Sequence, residues 1–151
     1  MISENELNSY KSEFIEKYEN LQQLTVSTSG LVKNAERTDD RKAYKDVSWI
    51  DYWRAMTGNH QTTLSCSSCG KEINVGEPTF AQKFDYISKG ETAAEHQAMG
   101  GHVWMTAPTE EDWKGGRYIT PLCPACNNKR GQQINLRVGS LLCKEEGAQK
   151  S

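Results

Sequence analysis

Five residues stand out for their chemistry: Cys66, Cys69, Cys123, Cys126 and Cys143. Four of them form two Cys-x-x-Cys pairs, Cys66-Ser-Ser-Cys69 and Cys123-Pro-Ala-Cys126. Two intervening residues let a tight turn aim both sulfurs at one point. Two such turns supply four thiolates to a borderline-soft ion, and the spacing predicts a structural zinc site closed to water. Gly70 suits the first turn, because glycine tolerates a positive φ. A redox dithiol is the alternative for a single pair, but no βαβ pattern surrounds CPAC. Residues 70–122 lie between the pairs, which predicts a β-hairpin and loops inserted between the two halves of the site. Cys143 has no partner nearby and is expected to be a free thiol.

Basic residues cluster around the second pair. No acidic residue occurs from Trp113 to Cys143, whereas Lys114, Arg117, Lys129, Arg130 and Arg137 all do. A basic stretch around a zinc turn is the electrostatic footprint of phosphate contact. The competing reading is a solvated surface balanced by Glu110, Glu111 and Asp112 just upstream. Of the three histidines, only His102 lies in a patterned segment; His60 and His96 carry no motif.

Positioning these groups falls to a chain of mixed character. Leu7, Tyr10, Phe14, Tyr18, Leu21 and Leu24 recur at helical spacing over residues 3–24, with Ser3 and Glu6 forming a capping box. That stripe packs either on its own domain or on a partner, including a second copy. TVSTSG (25–30) is a break, and TDD from Thr38 predicts a second helix start. Ser48 to Asp51 reads as a cap for a helix carrying Trp49, Tyr52, Trp53 and Met56, stopped by Gly58. Its aromatic face reads as core, with base stacking as the alternative. Beyond residue 61 the pattern predicts short strands. KEINVGEPTFAQKFDYI reads as strand, turn, strand; GHVWM and RYIT as a hairpin; CPACNNKR as a helix start; INLRV as a last strand.

The chain has 151 residues, 36 % of them hydrophobic, with a formal net charge of −2. The sequence pI of about 5.9 excludes a wholly basic nucleic-acid coat. No apolar run reaches the roughly 20 residues a spanning helix needs. MISENELNSY lacks the apolar segment of a secretory leader, so a cytoplasmic, reducing location is expected. We expect an α+β fold, with N-terminal helices packed on a small treble-clef zinc domain. The expected divisions are a helical region at 1–59, the zinc domain at 60–140 and a flexible tail at 141–151.

The order of Cys66-Ser-Ser-Cys69, Gly101-His102-Val103 and Tyr118-Ile-Thr-Pro-Leu-Cys123-Pro-Ala-Cys126-Asn127-Asn-Lys129-Arg130-Gly131 resembles the HNH endonuclease superfamily in its zinc-stapled, ββα-metal form. The resemblance covers roughly residues 60–135. Together with WIDYWRAMTG, the chain is also similar to small bacterial and phage proteins of undefined function. The HNH resemblance implies that His102 is a general base and Asn127 a ligand of a catalytic Mg²⁺ or Mn²⁺. It also implies that Lys129 or Arg130 contacts phosphate of DNA or RNA; Arg117 and Arg137 join them as candidates from the basic stretch. Two positions depart from the family pattern. Gly101 stands where the family has an acidic ligand, and the Asn that orients the base is missing near Tyr118. Glu111 or Asp112 would have to supply the acid. A non-catalytic zinc-stabilised regulatory or protein-interaction protein, a retired nuclease scaffold, is the alternative.

Overall fold

The computed structural model describes residues 2–18, 23–25, 30–34, 43–105 and 117–145. Their helices and strands make an α+β fold. Helix α1 (Glu4–Lys17) starts at the expected capping box: Ser3 Oγ accepts from the Glu6 amide and Glu6 Oε1 from the Ser3 amide. Leu7, Tyr10 and Phe14 from its stripe are buried within the same chain. Phe14 meets the Tyr52 ring edge-on at 5.4 Å, on helix α2 (Trp49–Thr57). Ser48 caps α2 through the Asp51 amide, and Gly58 ends it at φ 73°.

Helix α2 lies on a six-stranded antiparallel sheet, in the order β1-β8-β6-β5-β2-β7. These strands are β1 (Gln23–Thr25), β2 (Gly30–Asn34), β5 (Met99–Met105), β6 (Tyr118–Leu122), β7 (Gln133–Leu136) and β8 (Leu141–Lys144). A separate hairpin joins β3 (Thr63–Ser65) to β4 (Glu72–Asn74). The layers are stitched by aromatic side chains with polar tips. Tyr52 Oη donates to the Lys144 carbonyl at 2.7 Å and Trp53 Nε1 to the Leu141 carbonyl at 2.9 Å. The aromatic face of α2 is therefore core, with Trp49, Tyr52, Trp53 and Met56 all buried. Gly100 makes the close approach feasible, since any Cβ there would collide with the Trp49–Ile50 backbone.

Several expectations change. The second strand expected in KEINVGEPTFAQKFDYI is instead helix α3 (Phe80–Ser88), capped reciprocally by Thr79 and Gln82. The capping box fixes the helix start, and Tyr86, its one buried residue, is held by Asn74 Nδ2 at 2.8 Å and Glu72 Oε2 at 2.6 Å, while Phe80, Phe84 and Ile87 stay exposed. Residues 141–144, expected in a flexible tail, form β8 between β1 and β6 and bury Leu142 and Cys143. The six-stranded sheet takes strands from residues 1–59, 60–140 and 141–151 alike. The helix start expected at Thr38, and residues 106–116, lie outside the described residues. Among the described residues no helix is long and apolar enough to cross a membrane.

Because Phe14 is fully buried against α2, Phe14→Ala should cost about 3–5 kcal/mol in chemical denaturation. A loss below about 1 kcal/mol would mean that α1 is not part of this core.

Candidate functional site

The β3–β4 hairpin carries the first Cys pair in its turn. The Cys66 amide donates to the Lys71 carbonyl at 2.8 Å, and the Gly70 amide to the Cys66 carbonyl at 2.9 Å, with Gly70 at φ 81°. The second pair follows β6 directly. Cys123 is the N-cap of the single helical turn α4 (Pro124–Asn127), and Pro124 fits its first position because no amide is needed there. The turns are knit together: the Ser67 amide donates to the Pro121 carbonyl at 2.9 Å, and the Ser67 and Thr120 hydroxyls are 2.6 Å apart. The two Cys turns, one in a β-hairpin and one at the start of a helical turn, thus meet at one place.

The four sulfurs of Cys66, Cys69, Cys123 and Cys126 lie within 4.8 Å of one another. Cys69 Sγ and Cys123 Sγ are 3.7 Å apart. A tetrahedral ion with bonds of about 2.3 Å sets neighbouring sulfurs about 3.8 Å apart, so the cluster fits such an ion. Cys69 is exposed and the other three are buried. Burial works against ionisation of Cys66, yet the amides of Cys69, Cys123 and Ser68 prevail and lower its pKa. Burial pushes the Cys123 and Cys126 thiols up; the Cys66 and Cys69 sulfurs add to it at both, while Cys126 partly offsets it at Cys123. A bound cation reverses that repulsion. Cys143 is apart from the cluster, free and fully buried, and burial raises its thiol well above the usual range.

Beside this centre, between the start of α2 and β5, lies a cleft of about 360 Å³. Ser48, Trp49, Gly100, His102, Asn127 and Arg130 are among its lining residues. The fold thus brings His102 on β5 and Asn127 on α4 to one cavity. Asn127 is half-buried, and Asn34 of β2 anchors its turn by donating from Nδ2 to the carbonyls of Cys126 (3.1 Å) and Asn127 (2.9 Å). His102 is only 5 % exposed, its ring edge-on to Trp49 at 4.8 Å. Among the described residues neither ring nitrogen has a hydrogen bond of good geometry. Nδ1 nevertheless faces Glu145 Oε1 at 3.4 Å.

Sequence reasoning missed Glu145. It is buried at the end of β8, where its Oε2 accepts from Arg117 Nε at 2.7 Å and its amide donates to the Arg117 carbonyl at 2.8 Å. Burial raises the Glu145 pKa, but His102 and Arg117 outweigh it and hold the carboxyl below its usual range. Arg117 is thereby engaged with Glu145. Lys129, Arg130 and Arg137 are exposed, and the Arg137 guanidinium lies over Gly70, so that a Cβ there would overlap it. His60 sits 3.3 Å from Glu4, and His96 stacks on Tyr86 at 3.7 Å.

Gly101 has a steric reason: a Cβ there would overlap the Leu122 side chain. An acidic ligand at that position would require Leu122 to shift. Asp51, also in the cleft, has both carboxylate oxygens engaged, by Arg54 Nη1 at 2.9 Å and Ser48 Oγ at 3.0 Å. Glu111 and Asp112 lie outside the described residues. Among the described residues the four cysteines are the one group of His, Cys, Asp and Glu side chains able to hold a metal ion. Among the described residues the cleft therefore shows no cluster of three such side chains for a catalytic Mg²⁺ or Mn²⁺.

Comparisons of the chain with protein-family models, with curated proteins and with solved structures gave no match.

Because the cluster joins two distant turns, removing the metal or one ligand should release both. Cys126→Ser, or treatment with a strong chelator, should make residues 60–135 sensitive to limited proteolysis. A soluble, metal-free Cys126→Ser protein as protease-resistant as wild type would refute a structural role for the ion.

Proposed function

We propose that the chain is a zinc-stapled nucleic-acid-binding protein, with Zn²⁺ on Cys66, Cys69, Cys123 and Cys126 and a backbone phosphate of DNA or RNA received at the cleft beside it. The observation that carries this reading is the exposed Lys129–Arg130 pair, which follows the second Cys turn, with Arg130 on a cleft that also holds His102 and Asn127. Cationic side chains beside a zinc turn supply the sequence-independent part of nucleic-acid affinity. Zinc is the ion of choice because four thiolates at tetrahedral spacing suit it. The ion is structural: four protein ligands leave no position for water.

A second reading is hydrolysis of that phosphodiester, as the HNH resemblance implies, with His102 accepting a proton from the attacking water. The observation favouring it is the carboxylate of Glu145 against His102 Nδ1. Against it stands the lack of a fitting divalent-ion cage among the described residues.

The test pairs binding with cleavage. Fluorescence anisotropy with labelled single-stranded DNA, duplex DNA and RNA should give a dissociation constant on the order of 1–100 µM at physiological salt. Lys129→Ala/Arg130→Ala should weaken it roughly tenfold, the loss expected from a few phosphate contacts. Equal affinity of the double variant, or no binding to any of the three, would overturn the reading. Nicking of supercoiled DNA in Mg²⁺ or Mn²⁺ that vanishes in His102→Ala would establish the second reading.

A further inference from the structure

The Arg117–Glu145–His102 line is built so that each contact dictates the next. Arg117 Nε donates to Glu145 Oε2 at 2.7 Å, and a guanidinium has no acceptor. Glu145, held below the usual carboxylate range, can only accept when ionised. Its second oxygen, Oε1, faces His102 Nδ1 at 3.4 Å. The two atoms are within ion-pair distance, and attraction between them requires the proton on Nδ1. The register of β6 and β8 fixes the carboxylate in place, since the Glu145 amide is itself bonded to the Arg117 carbonyl at 2.8 Å. On the far side of the ring, Nε2 is buried and makes no hydrogen bond among the described residues, while the residue lines the cleft.

We propose that Glu145 is a positioning residue for His102. It holds the neutral ring in the Nδ1–H form, which leaves the lone pair on Nε2. The positioning of the ring does not depend on the nucleic-acid reading above. Arg117 acts one step back, by holding Oε2 of Glu145 while Oε1 faces His102.

This arrangement makes an unusual prediction for Glu145→Gln. Arg117 can only donate, so the carboxamide must turn its oxygen to Arg117. Its NH₂ group then faces His102 Nδ1, which becomes an acceptor, and the ring proton moves to Nε2. A near-isosteric change should thus invert the tautomer. Long-range ¹⁵N–¹H correlation spectra of histidine-labelled protein, recorded with the ring neutral, should show Nδ1–H in the wild type and Nε2–H in Glu145→Gln. Arg117→Met should keep the wild-type form, because Glu145 still accepts. If Glu145→Gln fails to fold, Glu145→Ala, which adds no donor, should lose the Nδ1–H preference and show a mixture. The same tautomer in wild type and Glu145→Gln, or an unchanged Nδ1–H form in Glu145→Ala, would overturn the positioning role. Inversion in a protein that binds none of the three labelled nucleic acids would uphold Glu145 and overturn the proposed function instead.

Discussion

Four sulfurs brought to one point constrain nearly everything else in this molecule. The two turns that carry them are separated by residues 70–122, and their convergence closes the whole β5–β6 hairpin into a loop anchored at both ends. Neutral thiols alone offer little attraction, and ionised ones repel. The surrounding contacts pre-set the geometry: Ser67 bonds to Pro121 and Thr120, and the Arg137 amide donates to the Ser67 carbonyl at 2.8 Å. A cation adds the attraction that the apolar surroundings withhold, which couples its binding to the fold around it.

The cleft inherits its precision from that anchor. Asn127 is the residue after the last cysteine ligand, and its turn is fixed from above by Asn34. His102 sits opposite Ile119 in the β5–β6 pairing, one register step from the Gly101–Thr120 pair. Leu122 fills the space at Gly101 that a side chain would take, and Gly100 admits the start of α2. The two consecutive glycines are therefore packing devices, and the acidic group near His102 arrives from β8 instead of from β5.

What the sequence could and could not disclose follows from the range of the forces involved. The Cys pairs, the Ser3 and Ser48 caps and the Trp49–Met56 stripe are local patterns, and each reads directly from neighbouring residues. Helix α3 was misread because Phe80, Phe84, Tyr86 and Ile87 favour strands individually. Yet Phe80, Phe84 and Ile87 fall at helical spacing and Thr79-x-x-Gln82 is a capping box, so the signal was present. Glu145 had no such signal. Nothing distinguishes it from Glu146 in the string KEEG; only the pairing of β8 with β6 directs its carboxylate to Arg117 and His102. Asn34 was equally silent, since its partners are backbone carbonyls more than 90 residues away.

The strand order has a consequence for how the chain is made. Among the described residues, β7 pairs with β2 alone and β1 with β8 alone, so each end of the sheet joins an early strand to a late one. A ribosome delivers β1 and β2 first, yet their partners emerge only after residue 98. Until then two short strands wait with open edges, and the sheet closes only when β8 leaves the exit tunnel. Such non-local pairing slows folding and prolongs the exposure of unpaired backbone.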